Sequence, residues 1–229
     1  MQLSQRLGAV ADYVEKGSLV ADIGCDHAYT SIYLIQNNIA SHIIAMDINK
    51  GPLEKAKANI QGYGLSGRIE TRLSDGMEKL CENEVDTVLI SGMGGALITN
   101  ILTKRLDIVT ACKSLILQPQ SEIHLVRRFL HEHHFKIAEE TMLVEEGKYY
   151  VVIHAVPGEE VYQKEAEYQY GKFLLVQKDS TLQSFLNKEK TVLENIKEEL
   201  IKKDTEHTKK RLEEIEAELD TIKEASLFF

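Results

Sequence analysis

The run Val20-Ala21-Asp22-Ile23-Gly24-Cys25-Asp26-His27-Ala28, with Asp47 closing the next apolar stretch Ile43-Ile44-Ala45-Met46, constrains this chain more than any other feature. It reads as a strand, a tight glycine turn and the start of a helix. An open α/β sheet holds a nucleoside-bearing cofactor in this way. The glycine lets backbone approach the ligand, and the second acid accepts hydrogen bonds from ribose hydroxyls.

The residues around Gly24 discriminate between cofactors. A dinucleotide needs its pyrophosphate against a helix N-terminus cleared by several glycines. Here Cys25 and His27 would crowd a phosphate and Asp26 would repel it. S-adenosylmethionine carries a sulfonium and an ammonium and no phosphate, so Asp22 and Asp26 favour it. Asp22, Gly24, Cys25, Asp47 and the adjacent Ile48 are therefore the first cofactor-binding candidates. Asp75-Gly76, after the third strand, is the second element: an Asp there can accept from an adenine amino group, although Asp-Gly is also a common turn. The third is Ser91-Gly92-Met93-Gly94-Gly95, where three glycines lie at the carboxyl edge of the sheet and suit a loop pressed against a ligand, or one that moves. No Lys-Ser/Thr pair follows these glycines, which argues against phosphoryl transfer.

Strand-like runs at Leu19–Gly24, His42–Ile48, Ile69–Ser74, Val85–Ser91 and Ser114–Gln118 alternate with helical patterns at Thr30–Asn37, Pro52–Tyr63, Ala96–Thr103 and Glu122–His133. Pro52 and Ser121 are N-terminal helix signals. Residues 3–16 precede them with one apolar helical face. Alternation of this kind predicts a parallel sheet covered on both faces. Lys136–Glu145 and Tyr149–Val156 then follow with no helix between them, as a terminal antiparallel hairpin. That order fits a Rossmann-like class I methyltransferase sheet better than a dehydrogenase, which would continue with another α/β half.

Pro157-Gly158 marks the boundary between a domain of residues 1–158 and a helical domain of residues 159–229. Leu186, Leu193, Ile196 and Leu200 form one apolar seam, and Leu212, Ile215, Leu219 and Ile222 a second, out of phase with the first. Tyr162–Val176 reads as a lead-in helix. With Lys202-Lys203-Asp204-Thr205 as the turn, the seams predict an antiparallel coiled-coil hairpin rather than one long dimerising helix.

Together these segments resemble the TrmK family of bacterial tRNA adenine-N1 methyltransferases, which act on adenine 22. The resemblance spans Leu3-Ser4-Gln5-Arg6-Leu7, the Asp22–Tyr29 turn, Asp47, Asp75-Gly76, Gly92-Met93-Gly94-Gly95 and Gln118-Pro119-Gln120. Ala28 replaces the third glycine of the general methyltransferase turn, and is small enough for close helix–strand contact. The resemblance implies S-adenosylmethionine as cofactor and tRNA as substrate. It also implies a site in which Asp26, His27, Tyr29 and Ser91 serve the chemistry, Gly92 and Met93 meet the cofactor, and Arg6, Gly94, Gly95, Gln118, Pro119 and Gln120 meet the substrate. Tyr29 and Tyr33 are available to stack on an exposed base. The alternatives are a small-molecule methyltransferase with the same cofactor, and a noncatalytic scaffold that uses its coiled coil for binding.

A net charge of −9 argues against broad nonspecific affinity for nucleic acid, though not against a local basic patch. Arg127-Arg128, Lys104-Arg105, Arg68 with Arg72, and Lys202, Lys203, Lys209 and Lys210 are the possible local phosphate contacts. His131-Glu132-His133-His134 lacks the spacing of a metal site, so no metal is expected. Three widely spaced cysteines, no apolar run near the roughly 20 residues of a membrane span, and an opening segment without a signal region predict a cytoplasmic protein with free thiols. A coiled coil that closes on itself predicts a monomer.

Overall fold

The structure is a computed structural model that describes residues 1–202 and 206–229. It divides into two compact units, Met1–Glu160 and Val161–Phe229. The first unit runs α1 (Gln5–Asp12), β1 (Leu19–Ile23), α2 (Tyr29–Gln36), β2 (His42–Asp47), α3 (Lys50–Gly62), β3 (Ile69–Leu73), β4 (Thr87–Met93), α4 (Gly95–Lys104), α5 (Leu106–Ala111), β5 (Ser114–Pro119), α6 (Ile123–Glu132), β6 (Phe135–Glu145) and β7 (Lys148–Pro157).

The strands form one sheet in the order β3-β2-β1-β4-β5-β7-β6. β1 to β5 are parallel, β7 is antiparallel to β5, and β6 is antiparallel to β7. β2 and β5 are buried along almost their whole length, as strands covered by helices on both faces must be. The β6–β7 hairpin turns on Glu146 and Gly147, both at positive φ, as a two-residue type I′ turn requires. Winding proceeds from β1 through β2 to β3 on one side and resumes with β4 and β5 on the other. The carboxyl ends of β1 and β4 therefore lie side by side at a switch point, where open α/β sheets bind ligands.

Several local features differ from the sequence expectation. β4 runs two residues past Ser91, through a bulge between Ser91 and Met93, and α4 starts at Gly95. The glycine-rich element is thus a strand end and a tight turn, not a loop. Gly95 Nα donates to the Ser121 carbonyl at 2.8 Å, and a Cβ on Gly95 would run into the carbonyl oxygens of Ser121 and Glu122. Ser121 does not cap α6. The cap position is Glu122, at φ 49 and with no side-chain hydrogen bond, because the 121–122 backbone is committed to Gly95. Ala28 is the cap of α2 at φ 59, so its departure from glycine carries a backbone cost that its small size does not reveal.

Arg127 is fully buried, its Nε donating to Glu140 Oε1 at 2.8 Å between α6 and β6, and so is not a phosphate contact. Arg72 pairs with Glu70 and Glu84, Arg105 with Asp107 and three carbonyls, and Arg68 with two carbonyls and Asn38. These basic residues stabilise the fold locally. His131 and His134 face Glu160 and Glu159, and His133 packs on Phe129.

In the second unit, the expected lead-in helix is broken at Gly171, φ 89, into α7 (Glu165–Tyr170) and α8 (Lys172–Val176). α9 (Ser180–Ile201) starts at Asp179, whose side chain accepts from Leu182 Nα at 2.8 Å. α10 spans Glu206–Ser226. The two long helices pack together, with Lys197 Nζ 2.7 Å from Glu216. With four residues between them, helices of this length can pack side by side only antiparallel. Leu182, Leu186 and Leu193 bury against a face containing Ile215 and Ile222, whereas Ile196 lies off the seam and stays exposed. Lys203, Asp204 and Thr205, expected in the turn, lie outside the described residues.

The Gly95 contact gives a stability test. Gly95→Ala gains about 1 kcal/mol of helix propensity, but its methyl meets two backbone carbonyls that cannot swing aside. We expect a net loss of about 1–3 kcal/mol in urea denaturation.

Candidate active site

A cleft of about 500 Å³ opens at the switch point. It is lined by the end of β1 and its turn (Asp22, Gly24, Cys25, Asp26, His27, Tyr29), by Asp47 and Ile48, by Asp75 and Gly76, by Ser91, Gly92 and Met93, and by Arg6 and Gln120. Those fifteen residues, drawn from six separate segments of the sequence reading, converge on one cavity. Gly94, Gly95, Gln118 and Pro119 do not line it. Gly94 and Gly95 serve the turn against Ser121 and Glu122. Tyr33 packs against the core and is also absent from the lining. Leu7, Thr30, Asn49, Ser74, Leu97 and Ile101 line the cleft without having been anticipated. Leu97 had a legible signal only in hindsight: it is a large apolar residue on α4 that the fold leaves half exposed.

The glycine turn is built for close approach. Gly24 has φ 72, and a Cβ there would overlap Met93 Cε, so β1 and the end of β4 touch through the missing side chain. Gly24 Nα and Cys25 Nα both donate to the Met46 carbonyl, at 2.8 and 2.9 Å, tying the turn to β2. Asp26 follows at φ 48 and holds its carboxylate out at the mouth, with His27 Nε2 3.6 Å from Oδ1. His27 stacks on Tyr29, centroids 5.5 Å apart. Asn59 Nδ2 fixes the turn by donating to the His27 carbonyl at 3.0 Å.

The acids differ in environment. Asp22 is buried and accepts from Ser31 Oγ at 2.6 Å. Burial pushes its carboxyl up to about 6, with the nearby Asp47 charge adding and the Ser31 hydrogen bond opposing. Asp47 accepts from Asn49 Nα at 2.7 Å. Asp75 has one oxygen 2.8 Å from Lys104 Nζ, so Lys104 serves the cleft wall rather than a phosphate. Burial, with Asp22, Asp47 and Asp26 adding, pushes the Cys25 thiol far above its usual range, which leaves it protonated and non-nucleophilic at neutral pH.

Opposite these acids, Gln118 acts from behind the cleft. It is fully buried, and its Oε1 accepts from Arg6 Nη1 at 2.6 Å, from Gly92 Nα at 3.0 Å and from Ser91 Oγ at 3.2 Å. Arg6 Nη1 also donates to Ser91 Oγ at 3.0 Å, and its guanidinium lies 5.5 Å from the Tyr150 ring centroid. One amide thus fixes α1, the end of β4 and the end of β5 together.

Comparison with known proteins agrees with this geometry. The profile of the family described as TrmK, tRNA (adenine(22)-N(1))-methyltransferase, matches residues 20–224. The tRNA (adenine(22)-N(1))-methyltransferase of Bacillus subtilis is 35% identical over 234 residues, covering 98% of this chain and 97% of the relative. The structure of Streptococcus pneumoniae Sp1610, a putative tRNA (m1A22) methyltransferase in complex with S-adenosyl-L-methionine, superposes with a TM-score of 0.87 at 30% identity, over 98% of this chain and 99% of that one. The M. capricolum TrmK structure with S-adenosyl-homocysteine matches at a TM-score of 0.87 and 30% identity, over the whole of both chains. A switch-point cleft rich in carboxylates and without a phosphate cradle, and similarity along essentially the full sequence, have one common reading: the chain belongs to the TrmK family of tRNA (adenine(22)-N(1))-methyltransferases.

Proposed function

We propose that this protein transfers the methyl group of S-adenosylmethionine to N1 of adenine 22 in tRNA. The observation that carries this reading is the cleft itself: Asp22, Asp26, Asp47 and Asp75 around a turn that would repel phosphate but suits a cationic nucleoside cofactor. The residues fit that cofactor. Asp47 accepts from the ribose hydroxyls, Gly76 lets Ile101 pack into the cleft wall beside the adenine, the free oxygen of Asp75 accepts from its amino group, and Ile48 and Leu97 flank the ring. Asp22 faces the methionine ammonium, with Gly24, Cys25, Gly92 and Met93 shaping the passage. The bound cofactor supplies an activated methyl on sulfur.

The protein's part is mainly alignment. The N1 lone pair attacks the methyl carbon as the carbon–sulfur bond breaks, so one positive charge leaves sulfur and appears on the adenine ring. Holding the three atoms in line supplies on the order of 7–11 kcal/mol of the barrier. N1 is already unprotonated near neutrality, so no base is needed to begin. Asp26, exposed at the mouth, stabilises the charge that develops on the ring. The His27–Tyr29 stack receives the exposed base and offsets the few kcal/mol of unstacking it. Ser91 and Gln120 border the base, and Gly94, Gly95, Gln118 and Pro119 support that border from behind.

We assign cofactor binding and chemistry to the first unit and tRNA contact to the helical unit, through exposed lysines such as Lys202, Lys209 and Lys210. The protein works as a monomer in the cytoplasm. The burial of Leu186, Leu193, Ile215 and Ile222 within one chain and the free Cys25, Cys81 and Cys112 support this.

The direct test incubates the protein with labelled S-adenosylmethionine and unmodified tRNA, or the same tRNA with adenine 22 replaced by guanine. Label is expected in the first RNA only. Label in both would refute the site, and label in neither the reaction. Asp47→Ala should weaken S-adenosylhomocysteine binding by about 1.5–3 kcal/mol through loss of charge-assisted hydrogen bonds, read by calorimetry. The raised Asp22 carboxyl sets a pH dependence. In the empty folded protein this group holds its proton more tightly than in the unfolded chain, so it lowers apo stability as pH rises from about 4 through about 6. A bound ammonium reverses the preference, and binding below about pH 6 must expel that proton. Affinity should rise roughly tenfold from pH 5 to pH 7, and Asp22→Asn should flatten the profile.

A further inference from the structure

We propose that Asn59 is a positioning residue for methyl transfer: its side chain locks the His27–Ala28 peptide and so holds the base-facing half of the glycine turn. This rests on the reading of Asp26, His27 and Tyr29 as the residues that receive the target adenine, and it names the group outside the cleft that keeps them in place. The turn has two halves with separate anchors. Gly24 Nα and Cys25 Nα donate to the Met46 carbonyl at 2.8 and 2.9 Å, so β2 holds the half next to the cofactor. Asn59 lies on α3, away from the cleft lining, and its Nδ2 donates to the His27 carbonyl at 3.0 Å. Among the described residues, no other side chain outside the turn bonds to residues 26–28.

The base-facing half is under backbone strain. Asp26 stands at φ 48 and Ala28 at φ 59, on either side of His27. An Asp tolerates the left-handed region because its short polar side chain can bond locally, whereas alanine gains nothing there and its Cβ crowds the backbone. Residues held in this way persist only where their surroundings over-determine them, and they gather at functional sites. The peptide between His27 and Ala28 sets the φ of Ala28, and both of its polar groups are tied. Ala28 Nα donates to the Cys25 carbonyl at 2.7 Å, and the His27 carbonyl accepts from Asn59. Beyond it, the Ala28 carbonyl accepts the first bond of α2, from Ile32 Nα at 2.9 Å. Rotating the 27–28 peptide to bring Ala28 to an ordinary negative φ takes the His27 carbonyl away from Asn59.

The side chains at the mouth take their places from this peptide. His27 and Tyr29 lie to either side of it and stack with centroids 5.5 Å apart, and Asp26 Oδ1 is 3.6 Å from His27 Nε2. Without the grip of Asn59 the strained turn competes with relaxed ones, and only the strained fraction presents the three groups in register with the methyl. The helix itself has no use for the amide. Asn is a poorer helix former than Ala, because its side chain competes for backbone hydrogen bonds. Stability of α3 alone would favour alanine at position 59, and what Asn59 contributes there is its bond to the turn.

The test measures kcat and KM with tRNA, and S-adenosylhomocysteine binding by calorimetry, for the wild type, Asn59→Ala, Asn59→Asp and the double variant Asn59→Ala with Ala28→Gly. Asn59→Ala should lower kcat on the order of tenfold, the population shift that one net hydrogen bond supports, and leave KM for tRNA and S-adenosylhomocysteine affinity within about twofold. Asn59→Asp keeps the volume but offers no donor to the His27 carbonyl, so it should lose at least as much. It also serves if the alanine variant does not fold. Ala28→Gly removes the Cβ that makes a positive φ costly, so in the double variant it should return most of the lost kcat. A packing role for Asn59 gives no such recovery. Unchanged kcat in the single variants, an equal loss of S-adenosylhomocysteine affinity, or no recovery in the double variant overturns the proposal. A wild type that methylates no tRNA instead overturns the reading on which it rests.

Discussion

The site depends on one topological constraint, the reversal of winding between β3 and β4. It sets the carboxyl ends of β1 and β4 next to each other, so that the Gly24 turn and the Ser91–Met93 strand end face the same space. Backbone proximity then replaces side-chain bulk. Met93 occupies the volume that a side chain at position 24 would need, and the Ser121 and Glu122 carbonyls occupy that of a side chain at position 95. Gln118 closes the arrangement by giving one buried oxygen to donors from α1 and from two successive residues at the end of β4. An unsatisfied carboxamide there would cost more than any of these bonds contributes alone, so the three donors are interdependent.

The same region concentrates negative charge, with Asp22 and Asp47 buried from water. Asp22 is the clearest case, since burial, with the Asp47 charge adding, pushes its carboxyl up to about 6. Carboxylates held this close favour a cationic ligand, which offsets their mutual repulsion and burial. Methyl transfer suits such a site because the cationic charge moves from sulfur to the adenine ring without changing in amount. A cleft lined by four carboxylates suits a cation both before and after such a transfer, and Asp26 is the most exposed of the four.

Much of this was legible in the chain. The turn at Gly24, the acid at Asp47 and the Asp75-Gly76 step are local signals with a fixed place relative to strand ends, and they supply ten of the fifteen sequence-suggested residues that line the cleft; Ser91, Gly92, Met93, Arg6 and Gln120 came from the glycine-rich element and the family resemblance. The differences share a cause. Gly94 and Gly95 read as ligand contacts because glycine signals close approach without naming what approaches, and at Gly95 the 121–122 backbone approaches. Arg127 read as a surface cation because Glu140, thirteen residues away in sequence, meets it only when β6 packs on α6. Ser121 read as a helix cap because its commitment to Gly95 is tertiary. The break at Gly171 was within reach of the sequence, since one glycine in an otherwise helical stretch is a standing warning.

An acidic protein that acts on tRNA poses an electrostatic question, and the fold answers part of it. Several of the cations of the first unit that looked available for phosphate are spent on the structure: Arg127 in the core, Arg72 on Glu70 and Glu84, Arg105 on Asp107 and neighbouring carbonyls, Lys104 on Asp75. A net charge of −9 adds long-range repulsion. Affinity for RNA then cannot come from neutralising many phosphates, which would require a large basic face. It must come from a few cations in the right places and from shape. Recognition of that kind discriminates strongly against nucleic acid that merely carries charge, and an enzyme that modifies a single adenine in a folded RNA needs that discrimination more than it needs affinity.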